Sequence, residues 1–201
     1  MIKSKFIELV SRHIKGNDSS VDKKYQADKR LIELDIAAAF NTIIFQIFKK
    51  EPSNLDRYVK TYKDVAVSQD TDTLIYYSEL PAKVIQFPTT GDGIWKINEM
   101  QGEDLTFVPM DRKKNELFYE SEFDSIDDVI KYSLRGDIVE YYNFDSDITT
   151  VRMDLVVAFT EWDSDEDVPL PAGQDLNIVN IVRQLNGLMP IDKLNNQNPV
   201  A

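Results

Sequence analysis

The sequence predicts an α+β fold: an N-terminal antiparallel helix pair containing one long buried helix, an antiparallel β-rich middle, and a C-terminal helix with a flexible tail. Three observations predict it. Apolar residues recur at helical spacing over residues 2–14 and 31–48, the period changes to two from residue 58 to residue 159, and helical spacing returns after Pro171. With 201 residues at 42% hydrophobic composition the chain can bury one sizeable core, or a core with an appended lobe. It reads as three stretches of one structural unit: a helical hairpin over 1–52, a β-rich region over 53–168, and a helix with an arm over 169–201.

The first helix spans 3–15, with Ile2, Phe6, Leu9, Val10 and Ile14 on its apolar stripe. Gly16-Asn17-Asp18 ends it, and Ser19 or Ser20 caps the next helix. That second helix, 22–50, is the element around which the chain is organised. Leu31, Leu34, Ala38, Phe45 and Phe48 fall in one sector, and Ile32, Ile36, Ala39, Phe40, Ile43 and Ile47 in another. Asp35, Thr42, Gln46 and Lys49 form its one polar line. A rod about 40 Å long and apolar around most of its circumference needs more than one covering layer, the second supplied by a neighbouring subunit or partner. Phe40, Ile43, Phe45, Ile47 and Phe48 are the candidate interface residues here. Lys49 and Lys50 suit the helix C-terminus, and Pro52 stops it.

Alternation of β-branched and aromatic residues then predicts six or seven antiparallel strands, at the spacing of a sandwich or open barrel. They cover 58–65, 73–78, 94–100, 105–110, 130–134 and 138–142, with the longest at 149–159. In that last strand Val151, Met153, Leu155, Val157 and Phe159 share a face. Residues 80–85 lead to a hairpin loop at 89–93, and local helical turns are expected near 112–119 and 124–129. An acidic loop follows at 161–167, then a third helix with Ile178, Ile181, Val182 and Leu185 on one stripe, also candidate interface residues. Gly187 ends that helix, and the Asn-rich arm 193–201 is expected to be disordered alone in solution.

Charge is divided unevenly. Residues 1–64 hold 13 Lys and Arg against 9 Asp and Glu, a net +4, while the remainder holds 10 against 26, a net −16, giving −12 in all. An acidic face repels a phosphate backbone, so specific nucleic-acid binding by the C-terminal two-thirds is not expected. The N-terminal segment lacks the apolar core of a signal peptide, and no run approaches eighteen apolar residues, so no membrane span is expected.

The chemistry-bearing residues point away from catalysis. The absence of cysteine removes disulfides and thiolate sites, and His13, the one histidine, supports neither a metal cluster nor a catalytic triad. The Gly91, Gly93 and Lys96 grouping lacks the spacing of a phosphate-binding loop and precedes a strand. Asp163, Asp165 and Asp167 alternate as a calcium loop begins, but Val168 occupies the position needing glycine and Gln174 that of the bidentate glutamate. Glu161, Asp163, Asp165, Glu166 and Asp167 are therefore read as an acidic loop, and no catalytic residue, metal or cofactor is expected. Trp95 and Trp162 read as core or interface anchors.

Several segments carry a resemblance. They are the helical pair, the run Tyr76-Tyr77-Ser78-Glu79-Leu80-Pro81-Ala82, Gly93-Ile94-Trp95, and Lys131-Tyr132-Ser133-Leu134-Arg135-Gly136-Asp137-Ile138. The strand 151–159 follows, leading through the acidic loop and Pro169-Leu170-Pro171-Ala172 into a helix. In this order the chain resembles virion structural proteins of short-tailed bacteriophages, crAss-like phages in particular, and among them the head-to-tail adaptor or neck ring. The resemblance implies a non-enzymatic ring, commonly of twelve copies, between the portal protein and adjacent tail rings, with DNA passing through without specific binding. It implies synthesis in the host bacterial cytoplasm and a final place in the neck or tail region of the virion. The acidic loop then either lines the lumen or faces a neighbouring protein. Two other classes stay open from the residues alone: a cytosolic protein–protein interaction or assembly module, and a hydrolase using carboxylates and a divalent ion.

Overall fold

The computed structural model describes residues 1–15, 29–87, 93–100, 105–110, 129–144, 147–170 and 173–191. The fold is α+β, with helices at both ends of the chain and about 33% strand. It consists of two compact units: Met1–Tyr58 together with Ala158–Ala201, and Val59–Val157. The two ends of the chain thus share one unit, and the β-rich middle forms the other, a grouping different from three successive stretches.

The helical unit contains α1 (Lys3–Lys15), α2 (Lys29–Lys50) and α3 (Asp175–Leu185), with short 3-10 turns at Pro52–Tyr58 and Phe159–Glu161. The bounds of α1 are those expected from its periodicity. The expected start of the second helix at residue 22, its cap, and the preceding turn lie outside the described residues. Phe6, Val10 and Ile14 of α1, Ile36, Phe40 and Ile43 of α2, and Ile178, Val179 and Val182 of α3 are buried. Phe159 sits 6.2 Å from the Phe6 ring and 5.7 Å from the Phe40 ring, so a single aromatic side chain joins the faces of α1 and α2. Arg30–Lys50 is long and apolar enough to cross a membrane by length and hydropathy alone, a test that the core helix of a folded domain also passes. Its two acidic residues, Glu33 and Asp35, interrupt the apolar run without lowering its mean hydropathy below that of a span.

Helix α3 ends as Gly187 dictates. Gly187 adopts φ +71°, its N–H donates to the Gln184 carbonyl, and the Leu188 N–H donates to the Arg183 carbonyl. These two bonds satisfy carbonyls that the last helical turn leaves open, in a left-handed conformation favouring glycine.

Among the described residues the β unit has eight strands where six or seven were expected. They are β1 (Val59–Ala66), β2 (Ser68–Gln69), β3 (Tyr76–Glu79), β4 (Ile94–Glu99), β5 (Thr106–Pro109), β6 (Val129–Arg135), β7 (Ile138–Tyr142) and β8 (Thr150–Val156). They form a three-stranded sheet in the order β1-β8-β4 and a five-stranded sheet in the order β2-β3-β7-β6-β5. Pairing is antiparallel except between β5 and β6, which are parallel. A parallel pair needs a long connection, and the residues between Pro109 and Val129 provide the length. The helical turns expected near 112–119 and at 124–128 lie outside the described residues; Val129 is strand.

Two strands differ from their expected bounds for local reasons. The strand expected at 73–78 begins at Tyr76, because the Asp70 carboxylate accepts from Asp72 N, Thr73 N and Thr73 Oγ1 and winds the chain into a tight turn. These bonds also hold the Asp70 carboxyl below its ordinary pKa. The strand expected at 149–159 stops at Val156 and is one residue shorter than β1. Beyond it, Phe159 enters the helical core instead of continuing the ladder. Because β8 is the central strand of its sheet, Asp154 and Val156 are buried on the face opposite Val151, Met153 and Leu155.

Candidate assembly surface

Helix α2 divides its apolar residues between two opposite sides. Ile32, Ile36, Ala39, Phe40, Ile43 and Ile44 are buried. Leu31 and Leu34 keep 48% and 58% of their surface exposed, and Ala38 is exposed beside them. Further along the same sector Phe45 and Phe48 are half-buried, with the Lys49 ammonium 4.6 Å from the Phe45 ring centroid. A helix needs one apolar stripe to join a core; a second on its far side is surplus to the fold of its own unit.

The expected interface residues separate accordingly. Phe40, Ile43, Ile178 and Val182 are buried in the chain itself, so they are core and not contact residues; Phe40 closes on Phe159. Phe45, Ile47, Phe48 and Ile181 are half-buried, and Leu185 is exposed. Leu31 and Leu34, outside the expected contact set, are the most open of the large apolar side chains described on α2. The signal that finds them is position: both lie across the helix from Ile32, Ile36 and Ile43.

Two buried cations fix this unit, and neither is evident from spacing. Lys3 is 6% exposed. Its Nζ donates to the carbonyls of Trp162 at 2.8 Å and Thr160 at 3.3 Å, pairs with Glu33 Oε1 at 2.7 Å, and lies 5.3 Å from the Phe159 ring centroid. Each of its three N–H groups thus has an acceptor, which is the condition for burying an ammonium. Arg183 does the same at the other end of α1, donating to the His13 carbonyl and, at 2.7 Å, to the Met189 carbonyl. Asn186 adds a 2.8 Å bond to Asp35 Oδ2, which ties the end of α3 to the polar line of α2. His13 has its Nδ1 2.8 Å from the Leu9 carbonyl, so Nδ1 carries the proton there.

The acidic loop is held against the start of α1. Lys3 N donates to the Glu166 carbonyl and Ser4 N to the Ser164 carbonyl, both at 3.0 Å, and Val168 N donates to the Met1 carbonyl. The Lys3 and Ser4 donors belong to the first turn of α1, where no intrahelical acceptor exists, and a negative loop suits the positive end of the helix dipole. Glu166 Oε2 accepts from Asp163 N at 2.7 Å and closes the loop on itself. Glu161 is half-buried, while Asp163, Asp165 and Asp167 stay exposed. Among the described residues no group of three His, Asp or Glu side chains could hold a metal ion.

In the β unit two irregularities shape the three-stranded sheet. Lys63 and Asp64 stand opposite Arg152, with Asp64 at φ +56°. Trp95 and Lys96 stand opposite Asp154, and Trp95 is 39% exposed, so of the core or interface roles expected for it the core one does not hold. Trp162 is half-buried and gives its carbonyl to Lys3. On the five-stranded sheet Tyr76, Tyr141 and Tyr132 lie side by side on β3, β7 and β6. Burial pushes the Tyr132 hydroxyl up to about 12 and raises that of Tyr141 further, although Tyr141 donates to Ser78 Oγ at 3.1 Å.

Compared with protein-family models and with curated proteins, the chain matches none.

Proposed function

We propose that this chain is a non-enzymatic structural component of a phage virion, a ring in the head-to-tail connector that joins portal to tail and lets DNA pass. The observation that carries the assembly part is the open stripe of Leu31, Leu34 and Ala38 on a helix whose other side is already buried. The phage part comes from the resemblance of the ordered segments. The net charge of −12 suits a passage that must not hold DNA. At physiological salt the Debye length is about 8 Å, so only side chains at the passage wall act, and the exposed Asp163, Asp165 and Asp167 are the candidates. Copies of the chain, the portal protein and adjacent neck or tail rings are its partners, with α3 and the arm 193–201 on the portal side.

Electron microscopy of the purified chain, alone and mixed with any portal protein encoded in the same genome, tests this reading. A closed ring of about twelve copies stacked on the portal supports it. A chain that stays single in the presence of portal overturns the ring. A second reading, an assembly module without catalytic activity outside any virion, draws on the same stripe. A genome in which no portal or capsid gene lies nearby favours it.

A further inference from the structure

The apolar side chains open on α2 are spaced for one kind of occupant. Leu31, Leu34, Ala38, Asn41, Phe45 and Phe48 follow one another at alternating intervals of three and four residues. That is the a/d pattern of a helix that packs along a second helix, with one polar residue at the centre. The side chains directed at the core of the unit, Ile32, Ile36, Ala39 and Ile43, lie across the helix from this seam and are buried. Helix α2 is therefore already held in place, and pairing along the seam does not require ordering the helix at the same time.

We infer that the seam takes α2 of a second copy of this chain, in parallel and in register, with Leu31, Leu34 and Ala38 each against its own counterpart. Exposure sets the direction. The open residues are at the N-terminal half, whereas Phe45 and Phe48 are half-buried within the chain. Parallel pairing brings open surface to open surface, and antiparallel pairing would set Leu31 against the half-covered Phe48. The flanking charges agree. Arg30 borders the seam on one side and Asp35, whose Oδ2 accepts from Asn186, on the other. In a parallel pair each Arg30 meets the Asp35 of the second copy, opposite charges along both edges.

The inference rests on the assembly reading for self-association but not on the ring: a pair of like residues closes on itself, so it competes with the head-to-tail contact of a ring for the same stripe. Because the chain has no cysteine, a single substitution gives a clean test. Leu31→Cys is compared under mild oxidation with Gln46→Cys, an exposed position roughly a quarter-turn from the seam. A homodimeric disulfide needs the two Cα atoms within about 7 Å, so Leu31→Cys should give at least about ten-fold more covalent dimer. Leu34→Glu, read by sedimentation with circular dichroism as the folding control, should raise the dimer Kd by at least about 100-fold. Equal crosslinking at both positions, or a wild-type chain that is monomeric at about 100 µM, overturns the inference. So does adsorption to phosphatidylglycerol vesicles that Leu34→Glu abolishes while no covalent dimer forms, an outcome that assigns the stripe to a bilayer. If Leu31→Cys crosslinks and nothing larger than a dimer forms with portal, the pair stands and the ring falls. If rings form and Leu31→Cys stays uncrosslinked, the reverse holds.

Discussion

Replacing Lys3 by Met tests the account of how the helical unit is held. The substitution keeps the apolar stem and removes the ammonium, leaving the carbonyls of Thr160 and Trp162 and the Glu33 carboxylate without that donor. Removing one partner of a buried ion pair costs about 3–5 kcal/mol, and each charged hydrogen bond contributes about 1.5–3 kcal/mol. Glu33 keeps 31% of its side-chain surface and can recover water, so the lower end applies, about 3 kcal/mol. For a chain of this length that lowers Tm by roughly 6–12 °C. The two tryptophans make the assay selective, since Trp162 lies in the helical unit and Trp95 in the β unit. Urea unfolding is followed by Trp162 fluorescence in a Trp95→Phe background, for Lys3→Met, Glu33→Gln and the double variant. The double variant should lose less than the sum of the singles by about 1.5 kcal/mol, because its two partners are removed together. A Lys3→Met loss below about 1 kcal/mol, or strictly additive losses, would refute the claim that Lys3 secures α1 to α2 and the 159–162 turn.

Arg183→Met should destabilise the same unit by about 2–3 kcal/mol on the same assay, since it releases the carbonyls of His13 and Met189. Gly93→Ala should prevent the β unit from folding, read by Trp95 fluorescence. An added Cβ would lie 2.4 Å from the Ile85 carbonyl oxygen at a residue with φ +86°. Alkaline titration should show stability falling between pH 10 and 12. Tyr132 is raised to about 12 in the folded chain and ionises near 10 unfolded, so its contribution is whole below 10 and lost as pH passes 12. Tyr132→Phe should flatten that fall by roughly 1–3 kcal/mol, measured by urea midpoints at pH 9 and 11.5.

Local pattern determined much of this protein. The bounds of α1, the hairpin of β6 and β7 about Gly136, strand β4, and the glycine stop of α3 are each specified by residues within one turn or one strand, so periodicity and turn chemistry suffice to place them. The two apolar sectors of α2 were equally visible. Which of them the core would take was not, because a sequence period says that a face is apolar and not what covers it. Tertiary structure decided that Ile32, Ile36 and Ile43 go inside while Leu31 and Leu34 stay open. It also set β5 parallel to β6 and brought both ends of the chain into one unit, pairings made by residues far apart in sequence. Lys3 belongs to the same class. On a helix surface a lysine is ordinarily a solvated charge; here two carbonyls about 160 residues away and one carboxylate on α2 meet at its ammonium and make burial favourable. No spacing within α1 carries that information, since every acceptor comes from another element.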